Sequence, residues 1–90
     1  MKHYNISVFG KVQGVFYRAS TKTKAVELGI KGFVKNQSDG SVYIEAEGEM
    51  EQLQLLLDWC NQGPTNAVVD KVKVEEAKMS DFQKFEITYF

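Results

Sequence analysis

The spacing of apolar residues in this 90-residue chain switches repeatedly between strand and helix periods, and that alternation restricts its fold more than any other feature. A strand buries every second side chain, whereas a helix buries one stripe at a period of 3.6. Tyr4, Ile6, Val8 and Val12 fall on one face at strand spacing. From about Arg18 to Leu28 the pattern is helical, with Tyr17, Thr21, Ala25 and Leu28 on one stripe. Gly29 is placed to cap this helix in the left-handed conformation, with Ile30 as the apolar residue beyond it. Residues 31–36 and 41–47 return to strand spacing on either side of Asp39-Gly40, a strong hairpin signal. In the second of these segments Val42, Ile44 and Ala46 point one way, and Tyr43, Glu45 and Glu47 the other.

A second helix is predicted from about Glu49 to Gln62, with Met50, Leu53, Leu56, Leu57 and Cys60 as its core stripe. Glu49 and Glu51 stand near its positive end, and Gly63-Pro64 terminates it. Val68, Val72 and Val74 suggest another strand, and Phe85, Ile87 and Tyr89 a short final one. The order is β-α-β-β-α-β plus a C-terminal strand. Right-handed crossovers leave few topologies for that order. The expected architecture is the α+β sandwich called ferredoxin-like, an antiparallel sheet with both helices on one face.

Residues 1–90 are read as a single domain. At 43% hydrophobic residues and one proline the chain is globular, and no apolar run approaches a membrane span. No signal-peptide pattern opens it, and one cysteine suits a reducing compartment, so a cytoplasmic location is expected. Nothing in the sequence points to assembly, so a monomer is expected. The net charge of −1 argues against a general nucleic-acid binder. Lys31-Gly32-Phe33 echoes the start of an RNA-recognition motif, but Val34 and Lys35 stand where a small residue and a second aromatic are needed. Phe9, Phe33 and Tyr43 are then expected simply to pack on the sheet.

Few groups offer conventional catalysis. His3 and Cys60 lie at opposite ends of the chain. His3 is expected to be solvated, and Cys60 to be core. No Cys/His cluster has zinc spacing, and Glu45, Glu47, Glu49 and Glu51 read as a solvated face. No metal or cofactor is therefore expected.

The informative stretch is Gly10 to Arg18, where a strand runs through a glycine loop into a helix. The first N–H groups of a helix have no partner within it and point out of its positive end, which suits an anion. Gly14 would let successive N–H groups converge, and Arg18 would add a fork for two phosphate oxygens. By residue chemistry alone Arg18 is either this clamp or a surface charge. Asn36 is either a reaction-site amide or a polar residue before a turn.

Gly10-Lys11-Val12-Gln13-Gly14-Val15-Phe16-Tyr17-Arg18 resembles the first signature of the acylphosphatases, Gly-x-Val-Gln-Gly-Val-x-aromatic-Arg. Gly32-Phe33-Val34-Lys35-Asn36, followed by Gly40, Val42 and Gly48, is similar to their second signature. Gly63-Pro64 with Ala67, Val69 and Val72 adds a third likeness. The family usually ends in Phe-x-Ile-Arg-Tyr, whereas here Thr88 replaces the arginine and Phe90 is one residue more. The resemblance implies metal-independent hydrolysis of a small-molecule acyl phosphate to carboxylate and inorganic phosphate. It implies a backbone cradle of Gln13, Gly14, Val15, Phe16, Tyr17 and Arg18, with the Arg18 side chain closing it. It also implies that Asn36 orients the attacking water.

Overall fold

The computed structural model describes residues 1–89; Phe90, the extra residue of the tail, lies outside the described residues. The elements run β1 (Lys2–Lys11), α1 (Tyr17–Glu27), β2 (Lys31–Asn36), β3 (Val42–Gly48), α2 (Met50–Gln62), β4 (Val68–Ala77) and β5 (Phe85–Thr88). They form one sheet in the order β4-β1-β3-β2-β5. β1 pairs antiparallel with β3 and β4, and β2 antiparallel with β3. The ferredoxin-like order is as expected. The added β5 pairs parallel to β2, so the five-stranded sheet is mixed. As a result β1, β2 and β5 all run in one direction and finish at one end of the sheet.

Both helices cover the same face. Ile6, Val8, Val34, Val42, Ile44 and Ala46 of the sheet meet Tyr17 and Ala25 of α1 and Leu53, Leu56 and Cys60 of α2, all buried in one core. Burying each large aliphatic side chain contributes about 1.5–3 kcal/mol. The stripe of α2 starts at Leu53; Met50, in the first turn, is exposed. Tyr17 joins the helices, stacking on Trp59 at 5.2 Å and donating its hydroxyl to the Cys60 carbonyl at 2.7 Å. Burial pushes the Cys60 thiol up to about 12, so it stays neutral and acts as a small apolar group. Gly29 does cap α1: at φ 73° its N–H reaches Val26, and that of Ile30 reaches Ala25 at 2.9 Å. Glycine takes this conformation without steric cost.

The β4 strand carries a bulge. Phe9 pairs with Lys71 but Gly10 pairs with Val69, so Asp70 is passed over. The bulge shifts the inward phase from even to odd residues. Val69 and Val72 therefore pack on the core, and Val68 is exposed.

Two expectations fail on the face away from the helices. His3 and Glu47 are not solvated; each is 2% exposed. His3 Nδ1 meets the Glu47 carboxylate at 2.7 Å, and Nε2 meets Asn5 Oδ1 at 2.9 Å and Glu45 at 3.0 Å. All these partners are acceptors, so the ring is satisfied when both nitrogens carry protons. Glu47 also accepts from the N–H groups of Ser80 and Phe82, and the Phe82 ring stacks on His3 at 5.6 Å. The physical reason is the connection between β4 and β5. It crosses the sheet at the end where β1 begins and covers what would otherwise be a wet surface. Phe33 packs on Tyr43 as expected, and edge-on against Phe82.

Burial opposes the charge on His3, but its hydrogen bonds to Glu47 and Asn5 and the charges of Glu45 and Glu47 outweigh it and raise its pKa. Burial likewise opposes ionised Glu47, but hydrogen bonds from Ser80, His3 and Phe82 hold it low. The His3 contribution to stability is thus complete below its ordinary 6.5 and is lost as pH rises through the raised folded value. The Glu47 contribution is complete above its ordinary 4.5 and is lost as pH falls through the lowered folded value. The pair should hold best between those two ordinary values. The thermal stability of the wild type should fall as pH rises from 6.5 through the folded value, and His3→Gln should lack that descending limb. Parallel curves for the two proteins above pH 6.5 would refute this.

Candidate active site

The end of β1 delivers the chain into a loop whose conformation departs from the ordinary twice. Gly14 has φ 72° with open space on the side where a Cβ would lie. Phe16, the residue that caps α1, has φ 64° and ψ 22°, left-handed for a bulky residue. These reversals turn the chain sharply enough for α1 to start at Tyr17. No side chain caps α1, and no acidic residue stands in its first turn. Its positive end is therefore left to an external acceptor.

Beside this end is a cavity of about 260 Å³. It is lined by Gly14, Phe16, Tyr17, Arg18 and Ala19, and by Val12 just past the end of β1. Asn36, the last residue of β2, and Ile87 and Tyr89, at the end of β5 and just beyond, complete the lining. The three strands that run in one direction thus all contribute at their C-terminal ends. Among the described residues Asn36 Oδ1 is buried without a hydrogen-bond partner. The Arg18 guanidinium lies 5.0 Å from the centre of the Tyr89 ring. Among the described residues no group of three or more His, Cys, Asp or Glu side chains is placed to hold a metal.

The structure brings together Gly14, Phe16, Tyr17, Arg18 and Asn36, separated in sequence by an entire helix. Tyr17 reaches the cavity with its side chain buried elsewhere, so only its backbone is available there. Gln13 and Val15 fall outside the lining. Val15 anchors the loop in the core. The Gln13 amide donates to the carbonyls of Gln37 and Ser41, both at 2.8 Å. It ties the loop to the β2–β3 turn that follows Asn36. That turn is braced by Asp39, which accepts from the Ser41 hydroxyl and N–H; these bonds hold its carboxyl below the usual range. Sequence reading missed Val12, Ala19, Ile87 and Tyr89 as lining residues. Only the strand spacing of Ile87 and Tyr89 hinted that the tail has an ordered position.

The acylphosphatase family model matches residues 4–87, and the chain belongs to that family. It is 49% identical to an acylphosphatase of Marinobacter nauticus over 99% of this chain and 98% of that one. The crystal structure of acylphosphatase from Bacillus subtilis superimposes with a TM-score of 0.96 at 34% identity, covering 99% of this chain and all of the other. An acylphosphatase structure from Coxiella burnetii gives 0.94 at 40% identity, over 97% and 92% of the two chains.

The Gln13 tie is testable by itself. Gln13→Ala removes two hydrogen bonds, each typically worth about 0.5–1.5 kcal/mol, from carbonyls that keep the N–H groups of Gly40 and Gln37 as donors. Urea denaturation should show a loss of that order with the fold retained. An unchanged midpoint would mean that loop and turn are held by other contacts.

Proposed function

We propose that this chain hydrolyses acyl phosphates at the Arg18–Asn36 cavity, as a metal-independent acylphosphatase without a cofactor. The carrying observation is that the uncapped start of α1, with Arg18 in its first turn, lines one cavity together with Asn36, whose Oδ1 is buried without a partner among the described residues. In this reading the N–H groups of the loop and first turn, from Gln13 to Arg18, hold the phosphoryl oxygens. The Arg18 fork binds two of them. Stacking on Tyr89 limits the rotation of the guanidinium, so less freedom is lost when phosphate binds.

Asn36 lines the same cavity and, in this reading, holds the attacking water by its amide. The water oxygen bonds to phosphorus as the bond from phosphorus to the acyl oxygen breaks. A carboxylate leaves, and both water protons end on the released phosphate. The substrate phosphate is the natural proton acceptor, since an amide orients water but is a weak base. A mixed anhydride already has a good leaving group, so positioning and stabilisation of spread charge suffice. The proposed setting is a single-domain cytoplasmic monomer acting on a small molecule, with neither nucleic acid nor membrane as partner. The buried thiol of Cys60 suits that compartment.

Arg18→Ala should lower kcat/KM on an aromatic acyl phosphate by the equivalent of about 2.7–4 kcal/mol or more, the typical cost of one lost positioned donor. Arg18→Lys keeps the charge without the fork and should stay badly impaired. Near-normal turnover by the lysine variant would show that charge alone suffices. Asn36→Ala should cut turnover by about two orders of magnitude while inorganic phosphate still inhibits competitively. Asn36→Asp puts an anion beside an anion and should weaken that inhibition too. Full turnover in both Asn36 variants would remove this residue from the mechanism. Excess chelator should leave wild-type activity unchanged; activity restored only by a divalent cation would overturn the metal-free reading.

A further inference from the structure

We infer that the Gln13 side chain is a positioning residue: its two hydrogen bonds set the separation between the phosphate cradle and Asn36, and so the place of the attacking water. The inference rests on the reading that Asn36 holds that water. A site built from two segments works only if the segments keep a fixed separation. The cradle belongs to the loop after β1, and Asn36 to the end of β2. The loop has anchors of its own. Val15 is buried in the core, and the Phe16 carbonyl accepts from the Ser20 N–H at 3.0 Å. The Oδ1 of Asn36 has no partner among the described residues, so its place follows from the backbone at the end of β2 and the turn beyond it.

That turn is closed without Gln13. The Gln37 N–H donates to the Ser41 carbonyl at 2.9 Å, and the Gly40 N–H to the Gln37 carbonyl at 3.1 Å. Both carbonyls therefore have a donor already. The Gln13 amide nevertheless reaches both of them, at 2.8 Å each, across 24 and 28 residues of chain. Among the described residues no other hydrogen bond joins residues 12–16 to residues 37–41.

The tie acts at the two positions that matter for register. Its donor is the residue before Gly14, and one of its acceptors is the residue after Asn36. Little chain lies between the tie and either half of the site. Attack on phosphorus needs the water at near-attack distance, and a misplacement of about 1 Å can cost about 100-fold in rate. Loss of the tie frees the turn to shift while Val15 still holds the loop, so the water moves and the cradle stays.

The test is a double-mutant cycle of Gln13→Ala and Asn36→Ala on benzoyl phosphate, with competitive inhibition by inorganic phosphate measured alongside. Gln13→Ala should lower kcat about 10- to 100-fold. Its inhibition by phosphate should stay within about 2-fold of the wild type, since the cradle keeps its N–H groups. In the Asn36→Ala background the same change should alter kcat by less than about 2-fold, because the group it positions is gone. Gln13→Met keeps the length and the apolar stem but cannot donate, so it should match Gln13→Ala and keeps the test open if the alanine variant disturbs the loop. Wild-type kcat in both Gln13 variants, an equal loss with and without Asn36, or phosphate inhibition weakened in step with kcat overturns the positioning role and leaves the proposed reaction standing. Full turnover by Asn36→Ala alone overturns the reading of Asn36 and the inference with it.

Discussion

Everything at the candidate site depends on β1 being hydrogen-bonded along both edges, to β3 on one side and β4 on the other. A strand paired on both sides cannot slide without breaking two ladders and turning Ile6 and Val8 out of the core. Its end is therefore a fixed point. The loop that follows inherits that position, and Val15 and the Gln13 amide secure it further, to the core and to the neighbouring turn. Because β2 and β5 run in the same direction as β1, their ends converge on the same place. The cavity is a consequence of strand direction before it is a consequence of any one side chain.

The two faces of the sheet solve opposite problems. The helix face is apolar and close-packed, and Tyr17 spends its only polar atom on the Cys60 carbonyl. The other face must accommodate a connection that carries the chain from one sheet edge to the other. It does so with an ionic cluster whose donors and acceptors match. Protonated His3 donates at both nitrogens, and Glu47 accepts from the ring and two backbone N–H groups. Removing either residue leaves a buried charge uncompensated, typically at about 3–5 kcal/mol. The cluster lies at the opposite end of the sheet from the cavity. It can hold β5, and so Ile87 and Tyr89, in place without touching the site.

The loop between β1 and α1 holds a left-handed phenylalanine and an uncapped helix start, and Asn36, whose buried Oδ1 has no hydrogen-bond partner among the described residues, lines the same cavity. Each is unfavourable in isolation, and all three adjoin one space. Local strain of this kind persists only where its surroundings over-determine it. The double pairing of β1 and the packing of α1 supply that restraint.

The order of elements, the cap at Gly29, the hairpin at Asp39-Gly40 and the apolar stripes apart from Met50 were legible in the sequence, because each is set by residues within a few positions of one another. Residue chemistry alone left Arg18 and Asn36 open, and only the likeness to the family's two signatures singled them out; the structure sets both in the lining of one cavity. What only the tertiary structure decided depends on residues far apart in the chain. The spacing of His3 gives no sign that residues 78–84 will cover it, so its burial with Glu47 could not be read there. The bulge at Asp70 exposes Val68 and depends on pairing with β1. The parallel seat of β5 depends on how the crossover returns, and with it the placing of Tyr89 against Arg18. Periodicity reports which face of an element is apolar, but not which distant segment arrives to cover the other.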